Sequence, residues 1–552
     1  MKIVATTVVA AAALGSAWAY RRSVRIQRAV EVKEKAHAIL VVDIGSSSVR
    51  ASAYVLRGDT WTLVPGSLHQ LKMRALANDG TALVHVIQQA VERVKDLTVA
   101  WLTQQGAFRI VGVGFSCFAM SLVGVNSDGK PVTPVLTYAG RCASQAKALS
   151  QTLAHQGLQH ETYNRTGVPI HPAYAAPQLL KLQPNDRVVT WQSLVGVLLR
   201  QWLGGESPIP MSYSEASWTG LADFRDAVWD RKLLELIQID PATLPSIQDP
   251  SIPATGRLQP AYAKRWPLLQ DTPYFLALAD GAAANIGSHC VAPECKTTGS
   301  RIGLTVGTSA AMRVLVPVGQ IVKVPRGLWC YRVSATHAIV GGALTDGGSV
   351  FEWALQTLAL SPGEIWYPST THSSSYSLDA IRQVGAMAPA EHGLSMLPFL
   401  NGERSPGWHD DATCTISGIT AATTPAHILR AALESVALRL GAIYALLGEY
   451  VTSDAHLVAS GTALSSSPVW RQIIADVVGR PVWLETEAVE LTSRGVAMFV
   501  GGHLGVHSSS SSPHKLLHRH FTCSTPSMQA HVQYLAARQR QDTLYSDVLG
   551  HT

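Results

Sequence analysis

The sequence predicts an α/β protein built as two similar lobes that face each other across a cleft. Three observations carry this. A short pattern occurs twice, as AILVVDIGSSSVRASAYV at 38–55 and as RIGLTVGTSAAMRVLV at 301–316. The length of 552 residues exceeds what one hydrophobic core usually supports, so two large domains are the default. Short β-branched apolar runs alternate with longer runs of helical periodicity along both halves, which is the mark of interleaved strands and helices.

In each copy of the pattern an apolar run stops at a small-residue turn, Gly45-Ser46-Ser47-Ser48 or Gly307-Thr308-Ser309, and a second strand-like run follows. This predicts a hairpin whose tight turn exposes backbone N–H groups. Consecutive amides form an anion-binding nest without a lysine, so two such turns, one opening each lobe, suggest a polyphosphate held between them. Taken singly, each turn is more often an ordinary structural hairpin. Only the first copy carries a carboxylate, Asp43, where the second has Thr305. One hard oxygen ligand beside otherwise neutral donors suits a magnesium-bound nucleotide.

The other elements follow in order. Residues 39–42 and 110–114 read as strands of the first lobe, and 84–105 as a helix with apolar residues three and four apart. In the second lobe 304–306 and 457–459 read as strands. The Ala/Leu-rich run 426–447 reads as a long helix, capped by Thr424, with Pro425 in its first turn and an Arg430–Glu434 pair supporting it. The serine run 508–512 reads as a loop before a terminal helix at 528–549. At the end of the first lobe the apolar run from Leu276 stops at Asp280, which small residues follow. A carboxylate there can face the cleft and take the proton of a hydroxyl that accepts a phosphoryl group. The same residue can instead cap a helix beginning at Gly281.

Composition narrows the function. Hydrophobic residues at 47% with charged residues at 15% exclude a disordered chain. A net charge of +6, with Lys and Arg scattered through the body, is compatible with anionic ligands and is no nucleic-acid footprint. Seven cysteines without paired metal spacing point to a reducing compartment and to buried or surface thiols. The 20 histidines form no HExxH-like cluster, which argues against a protein-bound transition metal.

The first 37 residues stand apart from a body divided at 38–286 and 287–552. Residues 3–20 carry no charge, about the minimum for a membrane span, and Arg21, Arg22, Arg25 and Arg28 follow. Ala17-Trp18-Ala19 resembles a signal-peptidase site, and the lack of acids before Glu31 a mitochondrial presequence. The third reading is a signal anchor, with positive charge on its C-terminal flank keeping the body on the cytoplasmic side. The chain is compatible with a homodimer.

The ordered set DIGSSSVR at 43–50, ADGAAAN at 279–285, VGTSAAMR at 306–313, GERSPGW at 402–408 and ASGTALSSSPVWRQIIADVVGRPV at 459–482 resembles the FGGY carbohydrate kinases, most closely their gluconate-kinase-like members. The resemblance runs from Ala38 to Leu504. It implies two ribonuclease-H-like domains of the actin and hexokinase type, closing on MgATP and a small carbohydrate. It implies Asp280 as catalytic base and Asp43 near the magnesium. Gly45 to Ser48 and Gly307 to Ser309 would hold phosphates, and Gly461, Thr462 and Ala463 would border the adenosine. On the acceptor side it implies Met120, Arg141, His171 and Tyr174. There the chain departs from its relatives. Ala119 and Met120 replace a Trp-His pair, Gly140 stands where an acid is usual, and Gln178 replaces a lysine. Loss of polar partners from a sugar site alters specificity strongly. Two readings follow: an ATP-dependent kinase for a sugar, sugar acid or polyol, or a catalytically impaired nucleotide-binding homologue serving as a membrane-tethered scaffold.

Overall fold

The structure, a computed structural model, describes residues 35–550 apart from 59, 74–75, 78, 183–186, 206–207, 291–299, 359–382, 487–489 and 507–520. The apolar leader, the serine run at 508–512 and Cys295 lie outside the described residues. The first lobe holds β1 (Ala36–Ile44), β2 (Ser48–Arg57), β3 (Thr60–Leu63), β4 (His69–Lys72), β5 (Phe108–Cys117) and β6 (Tyr274–Ala279). They form one sheet in the order β6-β5-β1-β2-β3, with β4 also on β2. The second lobe holds β7 (Arg301–Val306), β8 (Ala310–Pro317), β9 (Trp329–Arg332), β10 (His337–Leu344), β11 (His456–Ser460), β12 (Val482–Glu485) and β13 (Phe521–Ser524). Their order is β9-β10-β8-β7-β11-β12-β13.

The sequence repeat is a repeat of fold. β1 and β2 form an antiparallel hairpin, and β5 lies parallel on the other side of β1. β7 and β8 form the matching hairpin, and β11 lies parallel beside β7. β1 and β7 are therefore central in their sheets and covered on both faces, which is why both read as unbroken apolar runs rather than as alternating ones.

Among the helices, five bear on the site and its support: α1 (Val84–Gln105), α2 (Asp280–Gly287), α3 (Pro425–Leu446), α4 (Leu491–His503) and α5 (Met528–Leu549). α1 buries Val84, Ile87, Val91 and Val94 on one stripe and ends at Gly106, whose φ of 64° lets its amide reach the Leu102 carbonyl. In α3 the Thr424 hydroxyl accepts from the His427 amide and Pro425 occupies the first turn. The Arg430–Glu434 pair expected to support the helix forms, at 2.6 Å, and is deeply buried. Glu434 also meets His392 at 2.9 Å and the Tyr534 hydroxyl of α5 at 2.9 Å. α3 lies beneath the second sheet and is covered by α5, so its polar residues must satisfy one another.

One arrangement was not legible from local pattern. α4 belongs to the second half of the chain, yet it packs on β1 and β5 of the first lobe. Glycines permit this: a Cβ at Gly114 would lie 2.5 Å from Val496, and one at Gly112 would lie 2.9 Å from Val500. α2 and α4 cross in backbone contact at Gly287 and Gly495, where a Cβ would strike the Leu491 or Ala283 carbonyl. These two helices fill the space between the sheets. A second seam joins the lobes, where the Cys330 amide donates to the Gly167 carbonyl at 2.8 Å and the Arg332 amide to Ser217 Oγ at 2.9 Å.

Candidate active site

The two turns open into the space between the lobes and are built alike. The Gly45 amide donates to the Ser48 carbonyl at 2.9 Å, and the Gly307 amide to the Ser309 carbonyl at 2.9 Å. The closures leave the amides of Ser46, Ser47, Thr308 and Ser309 outside them, while Ser48 is buried as the first residue of β2. Behind each turn stands an arginine to which the sequence analysis gave no role. Strand register pairs Asp43 with Arg50, whose Nη1 donates to Asp43 Oδ2 at 2.9 Å; Arg50 Nε also lies 3.5 Å from Glu490 at the start of α4. In the second hairpin Arg313 Nη2 donates to Thr305 Oγ1 at 2.9 Å. Both arginines lie inside the quoted motifs, so comparing the two copies residue by residue would have found them.

Asp280 ends the first lobe's sheet at β6. α2 begins at Asp280 itself, not at Gly281, with Ala279 as its capping residue. Asp280 Oδ1 accepts from the Gly281 amide at 2.7 Å, so the carboxylate does bind a first-turn amide while facing the cleft. The short helix Tyr213–Trp218 steadies the strand end: Ser212 Oγ donates to the Ala277 carbonyl at 2.6 Å, and Ser214 Oγ accepts from the Ala279 amide at 3.0 Å. Burial pushes the Asp280 carboxyl up to about 6, against the opposing pull of Arg313 and the Gly281 amide, with the Asp43 charge pushing further upward. Asp43 is also raised by burial, with Arg50 opposing. Glu215, half-buried in the same short helix, is raised by desolvation to about 7.

Asp280 and Arg313 line a cavity of about 450 Å³ together with Gly461, Thr462 and Thr305. Gly461 has φ of 94°, and a Cβ there would collide with the Val306 carbonyl, so the β11 end lies against the second turn. Ala463 is not part of this wall. A larger cavity of about 910 Å³ brings Thr308 and Ser309 to Arg141, His171 and Arg404. Tyr138 lines it too and donates to Ser46 Oγ at 3.2 Å, which links it to the first turn.

The structure does not bring Met120 or Tyr174 to that cavity. Met120 is 2% exposed, packs in the apolar cluster of the first lobe, and borders a void of about 10 Å³ with Glu215 and Trp218. Tyr174 is buried, with its hydroxyl 2.6 Å from that of Tyr331 across the seam. Gln178 is spent on the carbonyls of Thr137 and Pro172, each at 2.8 Å.

No group of three or more metal-ligating side chains occurs among the described residues. Asp43 is a single buried carboxylate already paired with Arg50. These residues fit a magnesium ion that arrives on nucleotide phosphates and takes at most one protein carboxylate, directly or through water, rather than an ion held by the protein alone.

Comparison with known proteins agrees with this geometry. The N-terminal domain of the FGGY family of carbohydrate kinases matches residues 38–287, and its C-terminal domain matches residues 304–501. Gluconokinase of Bacillus subtilis (strain 168) is 24% identical over 445 residues, covering 80% of this chain and 82% of its own. Glycerol kinase of Geobacter sp. (strain M21) is 25% identical over 489 residues, covering 86% and 91%. The crystal structure of gluconate kinase from Lactobacillus acidophilus superposes with a TM-score of 0.78 at 22% identity, covering 94% of this chain and 99% of that one. The ligand-bound xylulose kinase from the same organism gives 0.77 at 22% identity, covering 93% and 98%. Two lobes matched in order, a cleft between them and a carboxylate at the end of the first sheet leave one assignment: the chain belongs to the FGGY family of carbohydrate kinases.

Proposed function

We propose that this carbohydrate kinase transfers the γ-phosphoryl group of ATP to a terminal hydroxyl of a small sugar, sugar acid or polyol, with Asp280 as general base. The observation that carries the reading is the placement of Asp280: half-buried at the end of β6, beside Arg313, on a cavity walled by the β11 glycine turn, and within electrostatic reach of Asp43. A carboxyl raised to about 6 is mostly ionised at neutral pH, yet a stronger base than an ordinary aspartate.

In the reaction Asp280 takes the proton of the acceptor hydroxyl as its oxygen bonds to the γ-phosphorus and the bond to the β–γ bridging oxygen breaks, leaving ADP. Arg313 and the amides around Thr308 and Ser309 offset charge on the transferring group. Arg50 holds Asp43 in place, and Asp43 and the Gly45–Ser48 turn face the polyphosphate from the first lobe. Magnesium, when bound with the nucleotide, supplies charge neutralisation on the phosphate oxygens. The deciding experiment is acceptor-dependent ADP formation by wild type and Asp280→Asn. Loss of turnover with retained nucleotide binding supports the assignment; retained turnover rejects it. The uncharged run at 3–20 with its arginine flank supports a second proposal, a membrane tether with the body on the cytoplasmic side. Fractionation of a reporter carrying residues 1–37 tests it, and a freely soluble or mitochondrially imported reporter rejects it.

A further inference from the structure

The 910 Å³ cavity carries a charge imbalance that the phosphoryl-transfer reading does not use. Arg404, from the segment 402–408, lines it with no carboxylate within ion-pairing distance among the described residues. Its neighbour Glu403 is the natural partner but is taken by Arg439 and by the Tyr545 hydroxyl, the latter at 2.7 Å. Arg404 is left with one long contact to the Leu344 carbonyl, at 3.3 Å, and its Nε is buried without a partner. Across the cavity, Arg141 presents a second, exposed guanidinium with no acid on it among the described residues, and Lys181 Nζ donates to the Arg141 carbonyl at 2.6 Å. His171 lines the same cavity and is nine-tenths buried. Its Nδ1 accepts from the Ala173 amide at 3.2 Å, which leaves the proton on Nε2, a buried donor without a partner. Burial and the nearby Arg404 charge hold His171 neutral, down to about 3. Asp410 is the acid at the rim, and it is exposed to solvent.

Arg404 Nε and His171 Nε2 are buried donors without acceptors, an arrangement that is costly until a ligand supplies them, while the exposed Arg141 stands at the cavity mouth with its guanidinium in solvent. Arg forks match planar carboxylates and phosphates in particular. We propose that Arg141 and Arg404, with His171, grip an anionic group at the end of the acceptor remote from its reacting hydroxyl, so that the acceptor is a sugar acid. The inference rests on the kinase reading and deepens it. It also accounts for the changed positions: Met120 and Gln178 are turned into the first lobe, and anion recognition falls instead to residues on both sides of the cleft, one guanidinium from each lobe.

The test uses the full chain and pairs of acceptors matched in carbon number: D-gluconate against D-glucitol, and D-glucitol 6-phosphate, which keeps a free primary hydroxyl at C1, as the phosphate arm. The readout is the ratio of kcat/KM values within each pair, for wild type, Arg404→Met, Arg404→Lys and Arg141→Met. A ratio within one variant is insensitive to how much of it is folded. The expected result is a wild-type preference for the aldonate of at least tenfold that falls about 10- to 100-fold in each Met variant and is partly rescued by Lys, as expected for loss of a charge-assisted hydrogen bond. A wild-type preference for the polyol, or a preference untouched by all three substitutions, overturns the proposal. A preference for the phosphorylated polyol keeps the anion site but rejects the carboxylate. If no acceptor is turned over, the kinase reading fails separately, and the anion site is judged by thermal shift with gluconate alone. A shift lost in both Met variants supports it, and no shift in wild type overturns it.

Discussion

Replacing Asp280 by Asn should abolish turnover and make the protein more stable, in a pH-dependent way. The carboxyl is half-buried in the cleft wall, and desolvation raises its value from 3.8 to about 6 even with Arg313 beside it. A raised carboxyl favours the folded state while protonated: that contribution is complete below 3.8 and is lost as pH climbs through 6. Above pH 6 the wild type therefore bears a charging cost of at most about 3 kcal/mol, which the neutral isostere lacks. For a domain of the size of one lobe, 1 kcal/mol corresponds to roughly 2–4 °C in the unfolding midpoint. Asp280→Asn should thus melt on the order of 5 °C above wild type at pH 8 and coincide with it near pH 4. The assay is thermal unfolding across that range, with ADP formation measured on the same preparations. A variant that melts below wild type at pH 8, or whose stability difference does not change with pH, would refute the burial argument; one that remains active would refute the role.

Further predictions follow from the same geometry. The wild-type kcat/KM should rise with pH through about 6 and level off above it, because the base must be ionised; a profile that falls over that interval contradicts the assignment. Gly461→Ala forces a positive φ and a collision with the Val306 carbonyl, so it should weaken nucleotide binding at least tenfold by calorimetry while leaving the rest of the fold intact. Glu403→Gln leaves Arg439 buried without its partner and should lower stability by about 3–5 kcal/mol in denaturant unfolding. Lys95 is fully buried among Trp202, Trp266 and Tyr274, with Nζ 3.6 Å from the Trp266 ring centroid, and burial depresses its pKa far below the usual lysine value. A depressed lysine makes stability rise with pH, so Lys95→Met should melt higher than wild type at pH 7, with the gap narrowing towards pH 10.

What the sequence disclosed was local. The two hairpins were legible because their strands are central and their turns small, and helices 84–105, 426–447 and 528–549 because of periodicity and caps such as Thr424-Pro425. What it withheld depends on partners far along the chain. Nothing around Leu491–His503 says that this helix covers the first lobe; the signal is in Gly112 and Gly114, whose missing side chains make room for it. The Arg430–Glu434 spacing looks the same on a solvated face as in a core, and only Tyr534 and His392 arriving from elsewhere distinguish them. Asp280 was legible as both cap and base, and it faces the cleft while accepting the Gly281 amide. Arg404 was hidden because its meaning lies in the acid it lacks, which becomes apparent only once Glu403 is seen bound to Arg439.

The most direct test of the account is magnesium-dependent ADP formation by the full chain against a panel of aldonates, ketoses and polyols, run in parallel with Asp280→Asn. The account predicts turnover with an acceptor of one class, lost in the variant while ATP still binds. ATP binding with no acceptor-dependent turnover across the panel, or equal turnover by the variant, would contradict it.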